Sequence, residues 1–499
     1  MKFFLLFLSA VTGASAGFIP SIRVDHESRG SRMCYNSAIV LGPEDGFSQP
    51  VYVVFENDSF AGSIIVQQDI YFQRSTDGGL TWLSEDRLVR RGAPFACYPD
   101  IAVDRSGCIY IVYTERTDNT AHICCVRSTD RGESWSEPVR VDDNGAGVMA
   151  GWARVAVDTG GNLFCAWNDR RLGRMTIWSA VSTDGGRSWS ADVRVDDDTV
   201  PGDCFHTDVF VQPGTNHYLV TATTPFWVRP GYINSNASFF RSTDQGRTFE
   251  PGVVIDTFSD YCGQPHVVAD AGHIICDWTG SGAGMENSRT EARVLFTPGD
   301  SWSMPVAVSE LDTLYTSYYN GGKLAIDPNG NVHCVLMLAE VTNYNYDIFY
   351  AFSDCHGFVW QEREPVNDVK DENQWDPDIA VDRNGIAYVV WQDWKNGRGE
   401  IWFSTNRQTG VAENRAEDRP LVSITPNPFR ERVVIFVNGT PAQKPVLEIF
   451  DRTGRRIRTL SITANQAVWD GMDEYGVRVE AGAYFLCYGG HKSRLVLVR

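Results

Sequence analysis

The sequence predicts an all-β protein, a ring of repeated four-stranded antiparallel sheets (a seven-bladed β-propeller) followed by a small β-sandwich. Three observations predict it. A strand of the type PDIAVD at Pro99 returns with starts at Asn36, Pro99, Ala153, Thr207, Pro265, Gly322 and Pro377, at intervals of 54 to 63 residues. Each repeat then carries short runs rich in Val, Ile and Tyr, separated by turn residues, the pattern of an antiparallel meander. One such sheet cannot bury its own faces, so it must stack on its copies.

Two tight turns punctuate each repeat. The first, Asp-x-x-Gly, joins the first two strands at Asp104–Gly107, Asp158–Gly161, Asp327–Gly330 and Asp382–Gly385, and loosely at Asp270–Gly272. The second has Ser, Asp, Gly and an aromatic residue in fixed order. It occurs as Ser75/Asp77/Gly79/Trp82, Ser128/Asp130/Gly132/Trp135, Ser182/Asp184/Gly186/Trp189 and Ser242/Asp244/Gly246/Phe249. In a weaker copy with Ser353, Gly357 and Trp360, Cys355 stands in place of the Asp. The carboxylate is expected to tie down backbone N–H groups while the aromatic packs between sheets, which makes this turn scaffold.

This second turn resembles the Asp box, or BNR repeat, of the sialidase superfamily. The resemblance implies a sialidase-like propeller. Its enzymes use three arginines to hold a carboxylate, a Tyr activated by Glu as nucleophile, and an Asp as acid/base. The arginine of their Arg-Ile-Pro motif has no counterpart here, because the position two before each aligned start holds Cys34, Cys97, Gly151, Phe205, Gly263, Asn320 or Trp375. Known sialidases have six blades, and six is the alternative count because the fifth repeat has lost most of its box.

The ends of the chain carry their own signals. Met1–Ala16 reads as a secretory signal peptide, with Lys2, an apolar run and Ala14-Ser15-Ala16 as cleavage site. No segment is apolar for the ~18 residues a transmembrane helix needs. Ile19–Ser28 resembles the fourth strands PVRVDD and DVRVDD, whereas the seventh repeat runs out after three strands. The N-terminal strand is therefore expected to complete the last blade beside Glu400–Thr405. The propeller spans residues 17–408, a polar linker 409–420, and a β-sandwich 421–499. That last segment, with Pro426-Asn427-Pro428, Asp451 and Gly454, Trp469-Asp470-Gly471 and Ala481, Gly482 and Tyr484, resembles the FlgD-like, immunoglobulin-fold C-terminal domain of type IX secretion cargo. The resemblance implies handling by that secretion machinery and a secreted or surface-attached product of a gram-negative bacterium.

Composition narrows the partners. The 499 residues carry a formal net charge of −19, which argues against nucleic acid and anionic membrane surfaces. Twelve cysteines are compatible with an oxidising compartment. Cys34 with Cys97, and Cys204 with Cys262, align between neighbouring repeats and are disulfide candidates, whereas Cys165, Cys276 and Cys334 read as small buried hydrophobes. No C-x-x-C spacing or His cluster suggests zinc. The acidic runs 142–144 and 196–198 read as solvated strand ends, so neither metal nor cofactor is expected.

The site is expected on the face of the longer loops. Around the ring, the second residue of each inner strand reads Ser37, Asp100, Arg154, Asp208, His266, Lys323 and Asp378, either inter-blade ion pairs or a polar channel. Tyr35, Tyr98, Trp152, His206, Gln264 and Asp376 precede these strands on the loop face. Aromatics beside Asp, Arg and Asn suit a carbohydrate, since rings stack on sugar faces while polar groups read hydroxyls. Catalytic candidates are Arg154, Asp169, Asp393 and Asp376. Ligand-binding candidates are Trp152, Arg170, Arg171, His206 and Trp394. Arg154, Arg170, Arg171, Arg229 and Arg398 could form a carboxylate clamp, with Tyr318 or Tyr319 as nucleophile. The W-x-D pairs Trp167/Asp169 and Trp391/Asp393 are equally readable as structural loops. Three functions stay open for this monomer: binding or hydrolysis of extracellular glycans, exo-sialidase or other glycosidase activity, and non-catalytic adhesion to a surface protein.

Overall fold

The computed structural model describes the chain outside residues 1–16, 27–31, 45–48, 93–94, 118, 198–201, 230–231, 257–260, 282–287, 297–300, 309–313, 317–321, 341–344, 370–371, 408–420, 426–428, 439–445, 452–453, 464–465, 489–490 and 498–499. The signal peptide, the linker, Tyr318, Tyr319 and Pro426–Pro428 lie outside the described residues, as does the side chain of Arg229. No described helix is long and apolar enough to cross a membrane.

The described chain is all-β and propeller-like. Successive antiparallel groups begin with the inner strands Arg32–Leu41, Phe95–Val103, Ala150–Val157, Phe205–Gln212, His266–Ala269, Gly322–Ile326 and Gln374–Val381. Within each group the strands that follow the inner one pair in chain order, the last group being completed by the N-terminal strand, and a single parallel pair, Gln68 with Phe95, joins the first two groups. Each inner strand touches the inner strand of the next group, and the last touches the first, so the set circles an axis. Apolar cores fill the spaces between neighbouring sheets; Trp167, Cys165, Val112 and Ile123 make one of them. That is how faces too small to bury alone become dry.

The N-terminal strand Ile22–Arg23 pairs antiparallel with Glu400–Thr405, placing Ile22 opposite Phe403. Its chemistry matches the fourth strands it resembles in sequence. Asp25 accepts the Ile401 N–H at 2.7 Å, Asp142 that of Ile123 at 2.7 Å, and Asp196 that of Ile177 at 2.9 Å. Arg23, Arg140 and Arg194 each pair with the aspartate two residues on. The leading aspartate of each acidic run is therefore not a solvated end. Asp142 and Asp196 are buried because each carboxylate fastens a short fourth strand to the third, and Asn144 is buried accepting from Arg140, whereas Asp143 between them stays exposed.

The Asp boxes follow the expected physics. Asp77, Asp130, Asp184 and Asp244 each accept a box hydroxyl and the backbone N–H four residues on, that of Thr81, Ser134, Ser188 and Thr248. These bonds pull the carboxyls of Asp130 and Asp244 down to about 2. The aromatic then packs on a neighbouring sheet, as Trp82 does on Phe403 at 5.2 Å and Trp135 on Phe72 at 5.3 Å.

The cysteine pairing is corrected. All eleven described cysteines are free and buried. Cys34 lies opposite Asn57 and Cys97 opposite Thr114, but a register shift lies between Tyr35 and Ala38 in one strand and between Cys97 and Asp100 in the other. Tyr35, not Cys34, is thus the counterpart of Cys97, and a one-residue offset turns a side chain to the opposite face. Cys204 and Cys262 are true counterparts, yet each is sealed in a different inter-sheet core. Cys165, Cys276 and Cys334 are fully buried, and burial holds their thiols well above the ordinary range.

The C-terminal segment forms two facing sheets. One contains Leu421–Thr425, Val433–Asn438 and Gln466–Trp469, the other Arg456–Ser461, Val446–Asp451, Gly482–Tyr488 and His491–Leu497. Trp469, Tyr484, Leu486 and Phe429 sit in its core. Phe485 stacks on Phe358 of the preceding region at 5.4 Å.

Candidate functional site

Five inner strands share a defect that positions the site. A register shift follows Tyr35, Cys97, Gly151, Phe205 and Trp375, and the next residue of each strand is left-handed: Asn36 (φ 48°), Tyr98 (53°), Trp152 (55°), His206 (53°) and Asp376 (48°). A bulge of this kind adds a residue to one strand and re-aims a side chain. Left-handed backbone at a bulky residue costs on the order of 1–3 kcal/mol and persists only where its surroundings enforce it. All five bulge residues line one cavity of about 260 Å³ at the axis.

The enforcing group at the first two bulges is Glu56. Its carboxylate accepts Asn36 Nδ2 at 3.0 Å and the Tyr98 N–H at 2.8 Å, so one side chain bridges two neighbouring sheets. Gln68 Nε2 donates to it and, at 3.1 Å, to Asp58. Burial, with Asp58 beside it, holds the Glu56 carboxyl well above the usual range.

Further wall residues are Arg154, Asp100, Asp208, His266, Lys323 and Asp378. Here both readings of the inner-strand position hold. Asp378 accepts the Ile39 N–H at 2.8 Å, Asp100 that of Val155 at 2.8 Å, and Asp208 that of Val267 at 3.2 Å, each stitching one inner strand to the next. Lys323 reaches across the channel to Asp378 at 3.8 Å and Asp208 at 4.0 Å. In the first repeat the register makes Ala38, not Ser37, the counterpart of Asp100, and Asn36, not Tyr35, the counterpart of Tyr98.

Electrostatics sets the protonation. Burial raises the Asp376 carboxyl to about 6 against the opposing pull of Arg154. Desolvation where its ring packs into the cavity wall lowers His206 to about 4, helped by His266 and Arg154, although part of the residue stays exposed; the imidazole is neutral at pH 7. Asp100 is raised by burial, with Arg154 and Lys323 opposing. Tyr98 and Trp152 lie 5.5 Å apart at the mouth, and Trp152 is 40 % exposed. The arrangement offers rings to stack on, a neutral imidazole, fixed cations, and a carboxyl that gains and loses its proton near pH 6.

Arg154, Asp376, Trp152 and His206 therefore meet in this cavity. Arg170 lies in an adjoining one of about 300 Å³, which shares Tyr98, Trp152 and Phe205 with the first and adds Arg116, Met149 and Met175. The other candidates sit elsewhere. Asp169 is wholly buried and accepts from Trp167 Nε1 at 3.4 Å and from the N–H and Nε of Arg171 at 3.1 and 2.8 Å. Arg171 is held further by Asp143 and Asp192 and stacks on Trp178 at 4.0 Å. Asp393 is likewise buried, bonded to Trp391 Nε1 at 3.2 Å and the Lys395 N–H at 2.8 Å. Both W-x-D motifs anchor their own loops. Trp394 contacts Tyr35 at 6.4 Å, outside the cavity lining. Among the described arginines only Arg154 lines the axial cavity.

No protein-family model and no curated protein matches the chain. Among solved structures, a fungal alcohol oxidase of the AA5 family, in complex with copper, aligns over 97 % of this chain and all of its own, with 12 % identity and a TM-score of 0.50. A PL25 ulvan lyase aligns over 75 % of this chain and 94 % of its own at 12 % identity, TM-score 0.48. The Hadza microbial sialidase Hz136 aligns over 79 % and 93 % at 11 % identity, TM-score 0.45. Likenesses this distant concern the course of the chain and assign no chemistry.

Proposed function

We propose that the chain is a secreted, seven-bladed sialidase-like propeller that takes an extracellular glycan into its axial cavity. The observation that carries this reading is the convergence of Trp152 and Tyr98 with Arg154, His206 and Asp376 on one cavity at the mouth of the ring. Aromatic faces with a few fixed polar groups are what a sugar needs. We further infer an immunoglobulin-like sandwich at residues 421–499 that serves sorting by type IX secretion in a gram-negative host.

Hydrolysis is a second reading, favoured by one feature. Asp376 titrates near 6, where a carboxyl can act as general acid. An exo-sialidase clamp of three arginines has less support, since Arg154 is the one described arginine in the cavity lining. The deciding experiment combines a fluorogenic glycoside panel with oligosaccharide titration followed by tryptophan fluorescence. Saturable binding that weakens at least tenfold in Trp152→Asn supports the glycan site, and turnover abolished in Asp376→Asn adds hydrolysis. No binding and no turnover across acidic and neutral glycans, with affinity for a surface protein instead, would leave the adhesion reading.

A further inference from the structure

At the opposite end of the inner strands, among the turns, lies a cluster that the axial site does not use. Asp270 and His273 belong to the turn after the fifth inner strand, and His356 to the weak Asp box of the sixth sheet. His273 Nδ1 is 3.0 Å from Asp270 Oδ1, and His356 Nδ1 is 2.7 Å from Asp270 Oδ2. The two imidazoles stack with centroids 4.0 Å apart. One ligating atom from each of the three residues falls within 4.8 Å of the other two, the one such group among the described residues.

We propose that Asp270, His273 and His356 bind a divalent transition-metal ion of the zinc class, which clips the fifth sheet to the sixth. Two imidazole nitrogens and one carboxylate oxygen are a zinc donor set, with bonds of about 2.0–2.2 Å. Tetrahedral bonds of that length separate neighbouring donors by about 3.4 Å, so the cluster closes onto an ion through small side-chain rotations. The fourth position opens to water, because the three side chains are 20 to 26 % exposed.

Two further observations fit a ligand shared by these residues. His356 Nδ1 is buried and 2.7 Å from Asp270 Oδ2, yet it completes no well-formed hydrogen bond, so its bonding capacity is not used up within the protein. A Cβ at Gly330, in the neighbouring turn, would meet His356 Cε1 at 2.4 Å and Asp270 Oδ2 at 2.9 Å, so the glycine leaves room for the three side chains to approach one another.

The location gives the ion a purpose. Other junctions are tied by an arginine reaching an Asp-box carbonyl, as Arg74 does to Arg131, Arg127 to Gly185 and Arg407 to Asp77. The sixth box has Cys355 where the others have an aspartate, and its Sγ bonds Val359 O, leaving the turn without its carboxylate. The Asp270–His356 bridge reaches this turn from the fifth sheet.

The test uses the tag-free chain, stripped with a chelator and dialysed. Zn2+ is titrated by calorimetry, and Co2+ by its visible d–d absorption. Wild type is expected to bind one equivalent with a tetrahedral cobalt spectrum, and to gain about 3 °C in Tm at a hundredfold excess over Kd. His273→Ala and His356→Asn (asparagine tolerates the left-handed backbone) should each lose that equivalent, with affinity down more than about 100-fold, while the metal-free chain still melts cooperatively within about 4 °C of wild type, the cost of one charge-assisted contact. Absence of saturable Zn2+ binding in wild type, or its persistence in either variant, overturns the proposal.

Discussion

Replacing Asp376 by Asn isolates the charge at the axial site, because asparagine has the same shape and tolerates φ 48° equally well. The buried carboxyl titrates at about 6 against an ordinary value of 3.8. That difference corresponds to ~3 kcal/mol of preference for the neutral form in the folded chain. The sign follows from a raised folded-state value. Below pH ~4 both folded and unfolded chains carry the neutral acid and there is no cost; between ~4 and ~6 the folded state increasingly resists ionisation; above ~6 the full penalty is present. Asp376→Asn should therefore match wild type at pH 4 and exceed it by ~3 kcal/mol at pH 8. For about 390 propeller residues at ~2 cal/mol/K each, that is a Tm gain of ~4 °C. Scanning fluorimetry at pH 4, 6 and 8, backed by guanidinium titration, reads the difference. A variant equal to or less stable than wild type at pH 8, or offset by the same amount at every pH, refutes the burial argument.

Trp152→Asn, at a wall position 40 % exposed, should weaken glycan binding at least tenfold while leaving Tm within about 1 °C, checked by fluorescence titration beside thermal melts. Asp25→Ala removes the charged acceptor of the Ile401 N–H and should cost ~2–3 kcal/mol, about 3 °C in Tm, as should Asp142→Ala in the second sheet; a neutral Asp25→Ala would mean that the N-terminal strand does not hold the ring. Loss of the bonds around Asp130 and Asp244, whose carboxyls are depressed to about 2, should destabilise the chain as pH falls from ~4 to ~2, so Asp130→Asn should flatten the acid limb of the stability profile. Reductant should leave Tm unchanged and a thiol reagent should find the described cysteines unreactive until unfolding, as their burial requires.

The repeat architecture was legible because its signals are local and recur. Asp-box turns, Asp-x-x-Gly turns and the Arg-x-Asp ending of fourth strands each fix a short segment by hydrogen bonds inside it. The orphan strand at Ile22–Arg23 could be matched to Glu400–Thr405 because its Arg23 and Asp25 repeat the chemistry of Arg140 and Asp142. What escaped was register. A bulge inserts one residue without a compositional mark, and alignment on the PDIAVD pattern placed Ser37 and Tyr35 where the sheet places Ala38 and Asn36. The same slip made Cys34 and Cys97 look like partners. Left-handed positions are normally signalled by Gly or Asn, and here Tyr, Trp and His occupy three of five. Glu56 and the Asp270–His356 bridge escaped for a different reason, since each joins two sheets and neither sheet's own pattern contains it.

The unmarked bulges supply much of the axial site, and there is a physical reason for that. A regular antiparallel strand points most of its side chains into the two inter-sheet cores, and in the fifth and sixth groups only inner-edge residues such as His266 and Lys323 reach the axis from unbulged strands. The bulge adds further wall residues by breaking the alternation at Asn36, Tyr98, Trp152, His206 and Asp376. Tyr98, Trp152, His206 and Asp376 in left-handed backbone, with a buried Glu56 tied to two of the five bulges and an Asp376 that resists ionisation, are each destabilising on their own. A ring selected for stability alone would place Gly at the bulges and an amide at 376. Retaining strained aromatics around an acid that titrates near 6 is what a surface kept for a ligand would show, and it supports the proposed axial site on grounds separate from any likeness to other proteins.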